Sequence, residues 1–210
     1  MEQGSDEWFA ARLGKVTGSC FQKVLSGKQT AATYKMELIS ERLTGQSAPQ
    51  VSSKALEWGT VWEDKARFQY SMLLLDKGDE RASQITQVGF VDHPDVIGAG
   101  CSPDGLVGDT GVLEIKCPYT QKNHLRTLMS GEVPREYVAQ CQGAMWVLGR
   151  DYCDFVSYHP HFKDGMELAV VRCERDDAYI AVLCKAVQEF LDELDVDIEQ
   201  LKERYCNVKV

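Results

Sequence analysis

Apolar residues fall at helical intervals over long stretches of this chain, and between two of those stretches the spacing tightens to the two-residue period of strands. Ser5 offers a side-chain oxygen to the free amides of a helix that begins with Asp6 and Glu7. Gly14 supplies its stop, which leaves Arg12 near the helix end. A short helix over 19–25 precedes a longer one over 33–43, where Leu38, Ile39 and Leu43 share a face and Gly45 ends the run. From 53 to 75, Trp58, Val61, Trp62, Ala66, Met72 and Leu73 recur at helical spacing and predict a long amphipathic helix, with Glu63 beside its apolar stripe.

The middle of the chain changes period. Residues 85–91 and 97–101 are short β-leaning runs, and Gly108-Asp109-Thr110-Gly111 is turn chemistry between 104–107 and 112–117, which predicts a hairpin. On its second strand Leu113, Ile115 and Cys117 point one way and Glu114 and Lys116 the other, so a carboxylate and an amine share a face. Residues 134–148 are helical, with Tyr137, Val138, Cys141, Ala144, Met145 and Leu148 at core spacing and Gln140 next to them. Two more strands, 152–158 and 166–173, lead to a long last helix that starts near Asp176 and stays apolar through Ile180, Leu183, Val187, Leu191, Leu194, Ile198 and Leu201. These elements predict an α/β fold in which helices flank a mixed sheet.

Composition narrows the class. The 210 residues carry no internal repeat, no Pro- or Gly/Ser-rich linker and no block of like charge, so one domain over 1–210 is expected. With 44% hydrophobic and 26% charged residues the chain matches globular usage and excludes disorder. No stretch approaches the ~18–20 apolar residues of a membrane span. The first seven residues lack the basic and apolar regions of a secretory signal, so the cytoplasm is the expected location. None of the eight cysteines forms a Cys-x-x-Cys pair, and they read as buried reduced thiols. His159-Pro160-His161 reads as a turn after a strand rather than as metal ligands. A net charge of −9 excludes a simple basic coat for nucleic acid, but an acidic exterior is compatible with a local basic channel.

The candidate chemistry gathers at the hairpin. Asp104 and Glu114 meet across it, and Lys116 lies one strand position further on the same face as Glu114. Two carboxylates and the Ile115 carbonyl are the hard oxygen donors that Mg2+ selects, with positions left for water and a substrate phosphate. Lys116 is then placed to orient or deprotonate the attacking water, or to balance charge in the transition state. Glu63-Asp64-Lys65 repeats the Glu-x-Lys spacing, but on a predicted helix, where residues two apart do not face each other. From spacing alone, a turn aspartate followed by a Glu–Lys ion pair on a solvated face fits Asp104, Glu114 and Lys116 as well as a metal site does.

Ser102-Pro103-Asp104-Gly105-Leu106 followed by Leu113-Glu114-Ile115-Lys116-Cys117-Pro118 resembles the PD-(D/E)xK nuclease core of the YqaJ-type viral recombinases, the phage lambda exonuclease kind. The likeness extends to Trp8 with Arg12-Leu13-Gly14 and Thr17-Gly18-Ser19, to Lys54-Ala55-Leu56 with Trp58-Gly59 and Glu63, and to Tyr137-Val138-Ala139-Gln140 with Met145-Trp146-Val147. It implies a restriction-endonuclease-like mixed central sheet flanked by helices with a long C-terminal helix. It implies an exonuclease that digests one strand of linear double-stranded DNA from the 5′ end, releases mononucleotides and leaves a 3′ overhang for strand annealing. One or two Mg2+ ions are implied, with Mn2+ as a substitute, held by Asp104, Glu114 and the backbone oxygen of Ile115. Lys116 is then catalytic, and Glu63 supports the metal through water or a second ion. Arg12, Ser19, Ser102 and Gln140 match a pocket for the terminal 5′-phosphate, and Leu56 a wedge that parts the end base pair, though a core role for Leu56 also fits. A homotrimeric ring around DNA and a single-strand annealing partner are implied as well. The alternatives are a PD-(D/E)xK endonuclease that cuts internally or at a structured site, and a non-catalytic DNA-end-binding scaffold.

Overall fold

The computed structural model describes residues 2–47 and 53–206. Ser5 caps α1 (Asp6–Arg12) by accepting a hydrogen bond from the Trp8 amide, as its side chain predicts. A two-residue strand β1 (Val16–Thr17) and a single 3-10 turn lead into α2 (Phe21–Leu25) and α3 (Lys28–Thr44), which Gly45 ends in the left-handed conformation at φ +68°. Ser53 caps α4 (Lys54–Asp76). The predicted β-leaning runs shorten to β2 (Ile85–Thr86), β3 (Val91–Asp92) and β4 (Ala99–Cys101). The predicted hairpin forms from β5 (Gly105–Val107) and β6 (Gly111–Lys116). After it come α5 (Gln121–Ser130), α6 (Arg135–Leu148), β7 (Tyr152–Tyr158), β8 (Leu168–Glu174) and α7 (Asp177–Cys206).

The strands form two sheets. A small one has the order β1-β4-β3, and the main one, β2-β5-β6-β7-β8, is antiparallel except for the parallel pair β6–β7. Two apolar clusters lie on the two faces of the main sheet. Val112, Cys153 and Phe155 pack with α6 and α7 on one face, while Leu113, Ile115, Val156 and Tyr158 pack with α4 on the other. Alternate residues of β6 and β7 thus feed opposite cores, and β7 is buried along its whole length, as a strand covered on both faces must be.

Three details differ from the sequence reading. The buried stripe of α4 runs through Ala66, Tyr70 and Leu74, whereas Val61 and Met72 are exposed. Leu201 lies past the buried part of α7, which ends at Ile198. Helix α5, absent from the sequence reading, buries His124 and Thr127, two polar residues. His124 is anchored at both ring nitrogens, to the Ser157 hydroxyl and to the Met166 carbonyl, each at 2.8 Å. His159 directly follows β7 and is buried. Among the described residues no helix is long and apolar enough to cross a membrane.

Candidate active site

Strand β6 outruns its hairpin partner. The β5–β6 register ends at Gly105 opposite Leu113, so residues 114–116 extend past β5 while remaining paired with β7. Ile115 therefore has no strand neighbour on the β5 side, and Asp104 takes that place: its Oδ2 accepts a 2.6 Å hydrogen bond from the Ile115 amide. In an antiparallel ladder the N–H and C=O of one residue face the same partner strand, so the Ile115 carbonyl belongs to this same open side.

The next two side chains converge there. Glu114, 1% exposed, accepts hydrogen bonds at Oε1 from Lys116 Nζ and from Gln140 Nε2, each at 2.5 Å. Gln140 comes from α6, as does Tyr137, whose ring lies 5.3 Å from the Lys116 ammonium. From the opposite face α4 supplies Glu63, bound to Arg67 at 2.5 Å, and Arg67 Nε donates to the Asp104 carbonyl at 3.2 Å. Arg67 also pairs with Asp64, so this one guanidinium ties two acids of the helix to the segment that leads into β5. Sequence reading passed over Arg67 because an arginine on an amphipathic helix reads as a solvated position.

The electrostatics follow from crowding. Burial, then the Glu114 charge, pushes the Asp104 carboxyl up from its ordinary value. Burial likewise raises Glu114, against the pull of Lys116. Glu63 is raised by burial and then by Asp104. Burial opposes the Lys116 charge, but Glu114 and Asp104 together outweigh it and raise its pKa, so the amine is an ammonium at neutral pH. Three acids whose ionisation is resisted despite two neighbouring cations, Lys116 and Arg67, form a site that a further positive charge would suit. The hydrogen bonds to Asp104 and Glu114 use one oxygen of each carboxylate, Oδ2 and Oε1. The other oxygens, Oδ1 of Asp104 and Oε2 of Glu114, with the Ile115 carbonyl, are a donor set that fits a hard divalent cation. No three His, Cys, Asp or Glu side chains among the described residues form a ready cage, so a cation here would depend on backbone, water and substrate oxygens.

A second group adjoins the first. Arg12 Nη1 donates to Ser102 Oγ at 3.1 Å, Arg12 Nη2 to Thr17 Oγ1 at 3.4 Å, and Trp8 Nε1 to Ser102 Oγ at 2.9 Å. The guanidinium stands 4.1 Å from the centroid of the Trp8 ring. Burial lowers the Arg12 pKa, and among the described residues no carboxylate forms an ion pair with it. A desolvated guanidinium surrounded by hydroxyls is suited to an anion. Two predicted pocket residues stand apart from this contact: Ser19 is exposed, with its hydroxyl 4.0 Å from Cys20 Sγ, and Gln140 bonds Glu114 rather than Ser102. Leu56 is 55% exposed on the first turns of α4, which excludes the core role.

Residues 7–151 match the model of the YqaJ-like viral recombinase domain. The chain belongs to that family. The chain is similar to the alkaline exonuclease LHK-Exo of Laribacter hongkongensis, 43% identical, with 97% of this chain and 100% of that one superposing at a TM-score of 0.88. The same fit holds for LHK-Exo in complex with dAMP. A phage-related exonuclease from Haemophilus somnus 129PT shares the fold at 16% identity and a TM-score of 0.64, over 88% of this chain and 96% of that one. The YqaJ protein of Bacillus subtilis (strain 168) is 26% identical over 99% of this chain, which spans 66% of its length. For a YqaJ-like domain, the structure places Asp104, Glu114, Lys116 and the Ile115 backbone at one strand end, with Glu63 and Gln140 reaching them from the flanking helices.

Proposed function

We propose that this chain is a Mg2+-dependent 5′-to-3′ exonuclease that enters linear double-stranded DNA at an end, releases mononucleotides from one strand and leaves a 3′ tail for recombination by annealing. That it is a DNA-degrading hydrolase rests on its family and on its identity to an alkaline exonuclease over nearly its whole length. The observation that carries the mechanism is the open end of β6, where Asp104, Glu114 and the Ile115 carbonyl face one space with the Lys116 ammonium beside them.

In this reading Asp104, Glu114 and the Ile115 carbonyl hold the cation, and Glu63 supports it through water or a second ion. A divalent cation held there would supply acidification of an attacking water and charge compensation at the scissile phosphate. Lys116 orients that water and stabilises the negative charge that develops on the phosphate. Gln140 restrains Glu114. Arg12 and Ser102 take the terminal 5′-phosphate, with Ser19 and Gln140 joining on binding. Ser102 is two residues from Asp104 and Gln140 already bonds Glu114, so a phosphate on Arg12 would set the adjacent phosphodiester against the acids. Leu56, exposed two helical turns before Glu63, parts the end base pair. The working assembly is a homotrimeric ring in the cytoplasm, acting beside a single-strand annealing protein.

Digestion of end-labelled linear duplex tests this directly. Mononucleotides are expected from the 5′-phosphorylated strand with Mg2+, or with Mn2+ in its place, and none in EDTA or with Asp104→Ala, Glu114→Ala or Lys116→Ala. A closed circular duplex should persist. Arg12→Ala should erase the preference for a phosphorylated end, a loss of about ten-fold or more for one charged hydrogen-bonded contact. Cleavage of the circle, or release from the 3′ end, would overturn the reading.

A further inference from the structure

One cluster beside the site has no part in the chemistry above. Trp58, on α4, is ringed by aromatic side chains: its ring lies 5.6 Å from Tyr119 at 84°, 5.6 Å from His161 at 75°, and 5.5 Å from the buried His159. Its indole Nε1 is buried and is the one buried side-chain nitrogen or oxygen without a hydrogen-bond partner among the described residues. A buried donor of this kind is costly unless something outside the protein completes it. Tyr119, in contrast, is 53% exposed although its ring is braced edge-to-face against Trp58.

The position of this cluster is as informative as its chemistry. Tyr119 follows Lys116 by three residues, so no more than ~10 Å of extended chain separates the two. Trp58 stands two residues after the exposed Leu56 and five before Glu63 on the same helix. Arg12 and Gln140 approach the carboxylates from the α1 and α6 side, and the aromatic cluster lies on the α4 side. An exposed ring three residues from Lys116 is within reach of DNA engaged at the acids. The rings of the cluster carry no acid, and burial, then His161 and His124, lowers the His159 pKa and keeps it neutral at pH 7. An exposed aromatic face braced by further rings suits a nucleobase, which offers a π face, more than a phosphate.

We infer that Tyr119, backed by Trp58, is a stacking platform for an unpaired nucleobase at the DNA end. This rests on the exonuclease reading above and adds a contact that reads base faces rather than charge. The test uses linear duplexes carrying 2-aminopurine at one of the terminal three positions, in the cut or the opposite strand, mixed with the full-length protein in Ca2+ under conditions verified to leave the DNA intact. The wild type should quench the probe at one of these positions, and the strand concerned identifies the base. Tyr119→Ala should abolish that quenching and weaken binding about ten-fold, while Tyr119→Phe retains both and melting curves confirm that each variant is folded. Equal quenching and affinity in wild type and Tyr119→Ala would overturn the inference. Because wild-type cleavage of linear DNA is read separately, failure of the platform and failure of the exonuclease reading give different results.

Discussion

At the scale of single residues, the site crowds three carboxyl groups that disfavour one another's ionised forms. Asp104, Glu114 and Glu63 are all raised, burial being the first cause in each. A carboxyl raised in the folded state holds protons that the unfolded chain has already released. Its contribution to stability is therefore present at low pH and lost as pH rises from the ordinary carboxylate value through the raised one. Asp104→Asn, which keeps an oxygen for the Ile115 amide, should accordingly melt above the wild type in EDTA at pH 8, with the gap closing as pH falls toward about 4. A gain of ~1 kcal/mol corresponds to ~2–4 °C in a chain of this size. Mg2+ should raise the wild-type melting temperature at pH 8, and the rise should vanish in Asp104→Ala. Thermal melts across pH in both conditions check this, and a variant that falls below the wild type throughout would contradict it. Asp104, Glu114, Lys116 and Glu63 are singled out by the likeness of their motifs to a nuclease core, since spacing alone fits a turn aspartate and a Glu–Lys ion pair equally. Arg67, Trp58 and Tyr119 are given no role in the site by sequence, since an arginine or an aromatic residue on a helix or a loop has many ordinary uses.

At the scale of elements, the strands and helices with strong apolar periods were legible and those with polar interiors were not. β7 runs over the residues its β-branched and aromatic pattern marks, and α7 follows its heptad-like row of Leu, Val and Ile to Ile198. Helix α5 escaped because its buried face is His124 and Thr127, which carry no hydrophobic signal. On α4 the tyrosine at 70, whose hydroxyl donates to Asp154 at 2.6 Å, serves as a core residue that a strictly apolar count omits. Helix α6 illustrates how closely an element is seated behind the site. A Cβ at Gly143 would lie 2.1 Å from the buried ring of Phe21, so the helix carrying Gln140 approaches α2 where only glycine fits. Gly143→Ala should therefore destabilise by ~1–3 kcal/mol through overpacking, despite the better helix propensity of alanine. Chemical denaturation measures this, and a more stable variant would show that Phe21 moves aside.

At the scale of the whole molecule, a net charge of −9 must be reconciled with work on a polyanion. The cationic groups that meet DNA in the proposed reading are few and local, so tenacity is expected to come from enclosure rather than from many phosphate contacts, which salt would weaken. Light scattering should then report three times the 23.6 kDa chain mass, and digestion begun on one duplex should continue when excess unlabelled duplex is added. A monomer that releases its substrate after each cut would contradict the ring.

The unfinished edge of β6 carries a last consequence. Because an aspartate just ahead of β5 stands where that strand would otherwise continue, the reactive centre is indexed by the acid's spacing from β5 as well as by side-chain identity. One residue inserted between Asp104 and Gly105 would slide the acid by one pleat and present it to a different peptide group. Every functional side chain would remain in the chain, yet the register that brings them to a common point would be gone.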